Sequence, residues 1–166
     1  MTKIIISILA FLLMIFPNSK YLIEAHQART NTLSIVAPQI IDAIKTRNVA
    51  ALESFMCQNI KHNVNDLRDE IGNMLDAIDG TITEATWSRR GGSYSESRSN
   101  GRKISQEGFE ITLSTSTETY VVAIRWETIN NFQPKEARAR YMILLNSDVE
   151  VLIRISATNG ISEWHD

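Results

Sequence analysis

The sequence predicts an α+β domain in which N-terminal helices pack on one face of a mainly antiparallel sheet. Apolar residues recur at helical spacing between residues 33 and 78, and from residue 80 the period changes to two. The clearest alternation lies in residues 108–130, whose two halves read as strands joined by a polar turn. Two strands are not stable alone in water, so the earlier helices are expected to cover their apolar face.

The first 25 residues are predicted to be a signal peptide or an N-terminal hydrophobic anchor, and residues 30–166 a single domain. Lys3 supplies positive charge, and an apolar or weakly polar run follows at residues 4–16. Such a run spans about 20 Å as a helix, which is shorter than the roughly 30 Å core of a bilayer and typical of a signal peptide. Cleavage after Ala25 would leave an exported protein, extracellular, periplasmic or on the cell surface. Membrane contact is expected only through this segment, if it is not cleaved.

Three helices are expected before the sheet. The first ends in the polar stretch at residues 46–48, and Pro38 lies inside its apolar pattern, where a helix either begins or kinks. Asn48 is expected to cap a second helix that runs through residue 60. Asn65 is expected to cap the third helix, and Gly80 to stop it.

The strands are expected at residues 81–89, at the two halves of residues 108–130, and at residues 137–145 and 149–155. Residues 91–103 read as a long polar connection and residues 130–134 as a loop. In the stretch at residues 137–145, apolar side chains occupy both faces, which predicts a strand in the middle of the sheet.

Charge and cysteine content exclude several classes of protein. The net charge of −2 gives no general attraction to nucleic acid. Residues 88–103 hold five Arg or Lys against one Glu and could be read as an RNA-binding segment. The acidic, exported character of the chain favours a solvated loop there. Cys57 is the only cysteine, so an intramolecular disulfide is excluded, and its apolar helical setting predicts a core residue.

Three stretches carry a resemblance to a known family: residues 40–56 (IIDAIKTRNVAALESFM), residues 75–80 (LDAIDG) and residues 119–130 (TYVVAIRWETIN). They resemble the bacterial domain of unknown function 5104 family. The resemblance implies a nuclear transport factor 2-like (cystatin-like) fold, in which a curved sheet wraps three helices and leaves a conical pocket. Many members look like exported lipoproteins, whereas this chain lacks the lipid-bearing cysteine. The family offers no known catalytic residues to carry over.

The helix-facing side of the hairpin is the candidate ligand pocket of such a fold. We assign to it the more apolar set of alternating residues: Phe109, Ile111, Leu113, Tyr120, Val122, Ile124 and Trp126. Tyr120 is the only ionisable residue in this set, which counts against acid–base catalysis. An apolar pocket with few polar anchors still binds small hydrophobic molecules. The alternative is that these side chains simply fill the core.

The candidate partner surface combines two regions. Arg125 and Glu127 are expected on the opposite, outward side of the hairpin, and Arg89 and Arg90 belong to the polar segment at residues 88–103. Arg125 is expected to pair with Glu110 across strands. Alternatively this face is the surface of a homodimer, with an apolar patch formed by Val121, Ala123, Ile129, Met142 and Leu144.

No metal is predicted, because no His, Cys, Asp or Glu residues fall at a zinc-binding spacing. No cofactor is predicted either, because no Gly-rich phosphate-binding loop leads from a strand into a helix. Three functional hypotheses stay open. The first is a non-enzymatic exported domain that binds a small hydrophobic ligand or a protein partner. The second is a small-pocket isomerase or hydrolase acting on a lipid-like substrate, which a buried carboxylate near Tyr120 or Trp126 would favour. The third is a dimeric structural or immunity-type protein without a pocket.

Overall fold

The computed structural model describes the backbone of residues 18–89, 95–99, 102–130 and 138–156, and the side chains of residues 32–89, 105–127 and 138–156. The chain divides into two compact units, Met1–Val36 and Ala37–Asp166. Helix α1 begins at Asn18 in the first unit and ends at Lys45 in the second. The predicted apolar run at residues 4–16 lies outside the described residues. None of the helices described combines the length and the apolar character that crossing a membrane requires.

The second unit has the predicted α+β architecture, with helices before an antiparallel sheet. Three short helices follow α1: α2 (Val49–Phe55), α3 (Gln58–Asn63) and α4 (Leu67–Asp76). The strands of the described ranges are β1 (Ile82–Arg89), β2 (Ser95–Ser99), β3 (Arg102–Thr115), β4 (Thr119–Asn130), β5 (Ala139–Leu145) and β6 (Val151–Ser156). Their order is β1-β3-β4-β5-β6, and β2 pairs with the other end of β3. The central position predicted for β5 is therefore confirmed.

The helix boundaries agree only in part with the sequence prediction. The Asn48 side chain caps α2 as expected, since it accepts a hydrogen bond from the Ala51 N–H at 3.0 Å. The predicted second helix is wrong beyond residue 55, because Met56 is extended and bridges to Ala139. The Cys57 N–H donates to the Ala139 carbonyl at 3.0 Å. Pairing with the sheet thus replaces helical hydrogen bonds and splits the segment into α2 and α3.

One further prediction needs correction, and one of the two alternatives at Pro38 is excluded. The residue before α4 is Asp66 rather than Asn65, and it has the left-handed conformation (φ 55°) that Asp and Asn tolerate better than most residues. Pro38 lies inside α1, so the first helix does not begin there.

The predicted polar connection at residues 91–103 contains a strand. β2 pairs with the first residues of β3, from Arg102 to Gln106, on either side of the Asn100-Gly101 sequence. Asn-Gly is typical of a tight hairpin turn. β2 and the part of β3 that pairs with it are mostly polar, so no alternation of apolar and polar residues marks them as strands.

The helices cover the predicted side of the hairpin, which we call the inner face. Phe109 lies opposite Ile124 across the β3–β4 ladder, and both side chains are buried. The ring of Phe55, at the end of α2, contacts the ring of Trp126 with centroids 6.3 Å apart. Met142 lies opposite Ile124. Met142, and Leu144 with it, therefore belongs to the inner face, and placing this pair on the outer face was wrong.

The loop between α4 and β1 is fastened to the β3–β4 turn by four hydrogen bonds. The Asp79 N–H donates to the Tyr120 hydroxyl at 3.0 Å, and the Thr117 hydroxyl donates to the Asp79 carbonyl at 3.0 Å. Ser116 and Thr81 exchange two more, at 3.0 and 3.1 Å. These bonds hold the start of β1 against the hairpin, just before the β1–β3 register shifts between Ile82 and Glu84.

Candidate functional site

The seven residues predicted for the pocket lie on one face of the sheet and are buried. Cross-strand pairs join Leu113 to Tyr120, Ile111 to Val122, and Phe109 to Ile124. Trp87 of β1 adds an edge-to-face contact with Phe109, with ring centroids 6.4 Å apart. Tyr120 lies at the end of this face that is fastened to the α4–β1 loop, and Trp126 lies toward the other end.

A carboxylate also belongs to this face, contrary to the sequence analysis. Glu107 precedes Gly108 on β3 and lies directly opposite Trp126 in the β3–β4 ladder. Its side chain is only 11% exposed. The alternation that includes Phe109 continues back through Glu107, but Gly108 was read as the first residue of the strand. Following the alternation one step further would have found this carboxylate.

Arg89 reaches the same place from the neighbouring strand. It is the last residue of β1 and lies opposite Phe109, which is two residues along β3 from Glu107. Its Nε atom is 3.4 Å from Oε1 of Glu107, and its side chain is 29% exposed. Arg89, which the sequence predicts on a partner surface, forms an ion pair with an inner-face carboxylate in the structure.

Within the part of the chain that the structure describes, three polar atoms of these residues are buried without a hydrogen-bond partner: Nη2 of Arg89, Oε2 of Glu107 and Nε1 of Trp126. We call Arg89, Glu107 and Trp126 the polar cluster. A buried polar group without a partner costs about 1–3 kcal/mol, and such groups are rare in native proteins. Three of them on neighbouring positions of one sheet face therefore need an explanation.

The polar cluster lies where the strand next to β3 changes. β1 pairs with β3 from Phe109 onward, whereas β2 pairs with it up to Gln106. Glu107 lies at the junction between the two. The register of β3 with β4 also shifts close by, between Ser105 and Gln106. Bulges are over-represented next to functional sites, because they redirect side chains.

The polar cluster offers two N–H donors and one carboxylate oxygen, with a net charge of zero. Arg89 Nη2 and Trp126 Nε1 can only donate, and Glu107 Oε2 can only accept while it is ionised. In the ranges that the structure describes, no three His, Cys, Asp or Glu side chains come together as metal ligands. The arrangement suits a neutral polar group that can both accept and donate hydrogen bonds.

Residues 39–139 match the family described as Domain of unknown function (DUF5104). The chain belongs to this family. The matched range contains all three residues of the polar cluster and ends at Ala139, the first residue of β5. A comparison with curated proteins found no match. Family membership thus supports the resemblance seen in the sequence, and the family description carries no activity.

The outer face of the sheet carries a second ion pair. Glu127 is 0% exposed, and its Oε2 accepts hydrogen bonds from the Arg140 guanidinium. Arg125 is half-buried, and its Nε donates to Oε1 of Gln106 at 3.3 Å. Arg90 lies outside the described residues. The partner surface predicted from these positions stays a prediction.

Two clefts of the described region lie away from the polar cluster. One of about 390 Å³ separates the end of α1 from α2, and Phe55 lines it. The other, of about 310 Å³, lies between α1, the end of α4 and the start of β1. Arg47, which lines the second cleft, is already bonded to Asp76 and to the carbonyls of Leu75 and Ile78. The unpartnered atoms of the polar cluster make it the stronger candidate site.

Replacing Tyr120 with Phe is expected to make the protein less sensitive to alkaline pH. Burial raises the pKa of Tyr120 above its usual 10.0, and a hydrogen bond with Glu118 raises it further. Because the pKa of Tyr120 is higher in the folded than in the unfolded chain, its contribution to stability is complete below pH 10. That contribution is lost as the pH rises through the pKa of the folded state. The variant loses the hydrogen bonds of the Tyr120 hydroxyl with the Asp79 N–H and with Glu118, which costs about 1 kcal/mol for each bond at neutral pH.

The measurement is the free energy of urea unfolding at pH 7 and at pH 11 for both proteins. We expect the wild type to lose more stability between the two pH values than Tyr120→Phe. Equal losses would show that the Tyr120 hydroxyl titrates alike in the folded and unfolded chains.

Proposed function

We propose that this protein is a non-enzymatic binding domain whose inner sheet face receives a small hydrophobic molecule. The polar cluster holds the one polar group of that molecule. The observation that carries the proposal is the set of three buried, unpartnered atoms of Arg89, Glu107 and Trp126. The surrounding inner face is apolar, so the site combines an apolar wall with a few convergent polar groups, as small-molecule sites commonly do.

The cost of the polar cluster supports a functional role. Unpartnered buried atoms destabilise the ligand-free protein, and apolar side chains of similar size at the same positions would not. Residues that lower stability in this way are commonly found at functional sites. A bound molecule that supplies the missing hydrogen-bond partners would remove this cost. The free energy recovered in this way would contribute to the affinity of binding.

We also propose that the sheet curves into a nuclear transport factor 2-like cone and that the chain is exported. The order of elements supports the first part, together with register shifts in the β1–β3, β3–β4, β4–β5 and β5–β6 ladders, since bulges bend sheets. The apolar run at residues 4–16 supports the second part. Sequencing the N-terminus of the mature protein tests export: a start near residue 26 supports it, and a start at Met1 contradicts a cleaved signal.

Native mass spectrometry of the full chain, purified from its own host without detergent, tests the binding function. We expect one small molecule per chain, which denaturing solvent releases and identifies. The matched control is the double variant Arg89→Met/Glu107→Leu, which is expected to fold and to lose the molecule. If only the mass of the chain is found, and the protein also fails to bind added 1-decanol, decanamide, decanoate and decylammonium, the proposed function is wrong.

A second candidate function is an enzyme acting on the same kind of molecule. Glu107 favours it, because it is a nearly buried carboxylate opposite Trp126 with one oxygen unpartnered. Such a carboxylate can act as a general base, while the two N–H donors stabilise a developing oxyanion. However, the Trp126 N–H makes no hydrogen bond to the Glu107 carboxylate.

Recovery of the bound molecule separates the two functions. A binding domain returns the molecule unchanged after prolonged incubation, whereas an enzyme converts it. With an enzyme, Glu107→Gln would abolish conversion and still allow binding, because the amide keeps the size of the side chain but not its basicity.

A further inference from the structure

We infer that the polar group recognised by the polar cluster is uncharged and carries both a donor and an acceptor, as a hydroxyl or a primary carboxamide does. This inference rests on the proposed binding function and adds the chemical class of the ligand. It follows from three properties of the cluster: its hydrogen-bonding inventory, its net charge and the arrangement of its residues on three adjacent strands.

The hydrogen-bonding inventory asks for two acceptor positions and one donor on the ligand. Arg89 Nη2 and Trp126 Nε1 each have a proton to donate, and Glu107 Oε2 has lone pairs to offer. A hydroxyl oxygen accepts two hydrogen bonds and donates one, so a single hydroxyl can satisfy all three atoms. A primary carboxamide does the same with its oxygen and one N–H.

Charged groups fit this inventory poorly. A carboxylate accepts from the two N–H donors but has no proton for Glu107, and its charge is repelled by that of Glu107. An ammonium donates to Glu107 but cannot accept from Arg89 or Trp126, so both donors stay unpartnered. Because Arg89 and Glu107 already pair with each other at 3.4 Å, the site has no net charge with which to stabilise either ion.

The register brings the three groups to one place. Glu107 is directly opposite Trp126 on β4 and diagonal to Arg89 on β1. Directly opposed Cβ atoms lie about 4.5–5.5 Å apart, and diagonal neighbours are within reach of long side chains. Neighbouring ladder positions therefore allow one small head group to contact all three residues, with the apolar part of the ligand toward the inner face.

A buried water molecule would satisfy the same three atoms, since it also donates and accepts. Water and a ligand head group make different predictions. If a water molecule occupies the polar cluster, the affinity for an added hydrophobic molecule would not depend on the head group of that molecule. A head-group site discriminates between molecules that differ only in that group.

The test uses four probes with the same ten-carbon chain: 1-decanol, decanamide, decanoate and decylammonium. Each is added to the full chain at pH 7, below its aggregation concentration, and Kd is measured by calorimetry. We expect decanol and decanamide to bind about tenfold or more tightly than decanoate and decylammonium, since one unmade hydrogen bond to a charged group is worth that much.

Two variants test whether the polar cluster sets this order. Glu107→Gln removes the repelling charge and leaves Arg89 cationic, so decanoate is expected to gain about tenfold in affinity. The matched control is Glu110→Gln, which makes the same change three residues along β3 at a half-buried position on the outer face. It is expected to leave the order of the four probes unchanged.

The outcomes separate the inference from the function beneath it. If none of the four probes binds, the proposed binding function is wrong. If all four bind alike, or Glu107→Gln has no more effect than Glu110→Gln, the protein binds hydrophobic molecules but the polar cluster holds only water, and the inference is overturned. A wild type that prefers decanoate or decylammonium overturns it as well.

Discussion

The double variant Arg89→Met/Glu107→Leu is expected to stabilise the ligand-free protein by about 1–2 kcal/mol. Replacing a buried ion pair by apolar side chains of similar volume is often neutral or stabilising by about 1–4 kcal/mol. The lower part of that range applies because the Arg89 side chain is 29% exposed and thus partly hydrated. The change also removes two of the three buried unpartnered atoms.

The single variant Arg89→Met is expected to do the opposite. It leaves the Glu107 carboxylate nearly buried without its cation, which costs about 3 kcal/mol, the lower end of what breaking a buried pair costs. Urea unfolding of the wild type, both single variants and the double variant gives the full cycle. A double variant that is as destabilised as Arg89→Met would show that the ion pair supports the fold and is not kept for binding.

Gly80→Ala is expected to destabilise the protein by about 2–4 kcal/mol, the second large effect. Gly80 has φ +78°, a conformation that an L-residue adopts at a cost of about 1 kcal/mol or more. An added Cβ would lie 2.6 Å from the Ser116 hydroxyl oxygen and 3.0 Å from that of Thr117. Both hydroxyls are engaged, with Thr81 and Asp79, so moving them breaks hydrogen bonds that fasten β1 to the hairpin.

Gly72→Ala is the matched control, because it makes the same chemical change in a different environment. Gly72 lies inside α4, and a Cβ there would meet nothing within 4 Å. Alanine favours the helix over glycine by about 0.5–1 kcal/mol, so this variant is expected to be more stable than the wild type. Thermal unfolding of both variants is the measurement. Equal effects of the same sign would show that Gly80 is not held in its conformation by the turn.

The sequence predicts the sheet best where one face is fully apolar. Phe109 to Leu113 and Tyr120 to Trp126 alternate strictly, and burial of one face fixes their register. The N-cap at Asn48 was also predictable, because a side-chain acceptor at a helix start acts over only three residues.

Long-range contacts account for what the sequence did not predict. Met56 fits a helical apolar pattern, yet a backbone bridge to Ala139, more than eighty residues away, ends the helix there. β2 is polar, so its pairing with β3 leaves no apolar period to detect. Propensity and periodicity describe local preference, and a tertiary partner can override both.

The candidate site was missed for a related reason. The prediction found the apolar face but ended it at Phe109, and so excluded Glu107. Arg89 was read as a surface charge because its sequence neighbours are polar, and only the β1–β3 register shows that it shares a face with Phe109. The sequence thus predicted the apolar inner face of the site and not the polar cluster beside it.

The Trp126 indole N–H reports most directly on whether the polar cluster binds a ligand head group. Its resonance in a ¹H–¹⁵N spectrum is assigned by its loss in Trp126→Phe and followed as decanamide is added. If decanamide binds at the polar cluster, this N–H gains an acceptor, and its proton resonance moves downfield while its exchange with solvent slows. If decanamide binds with the Trp126 resonance unchanged, the molecule lies elsewhere and the proposed site is wrong.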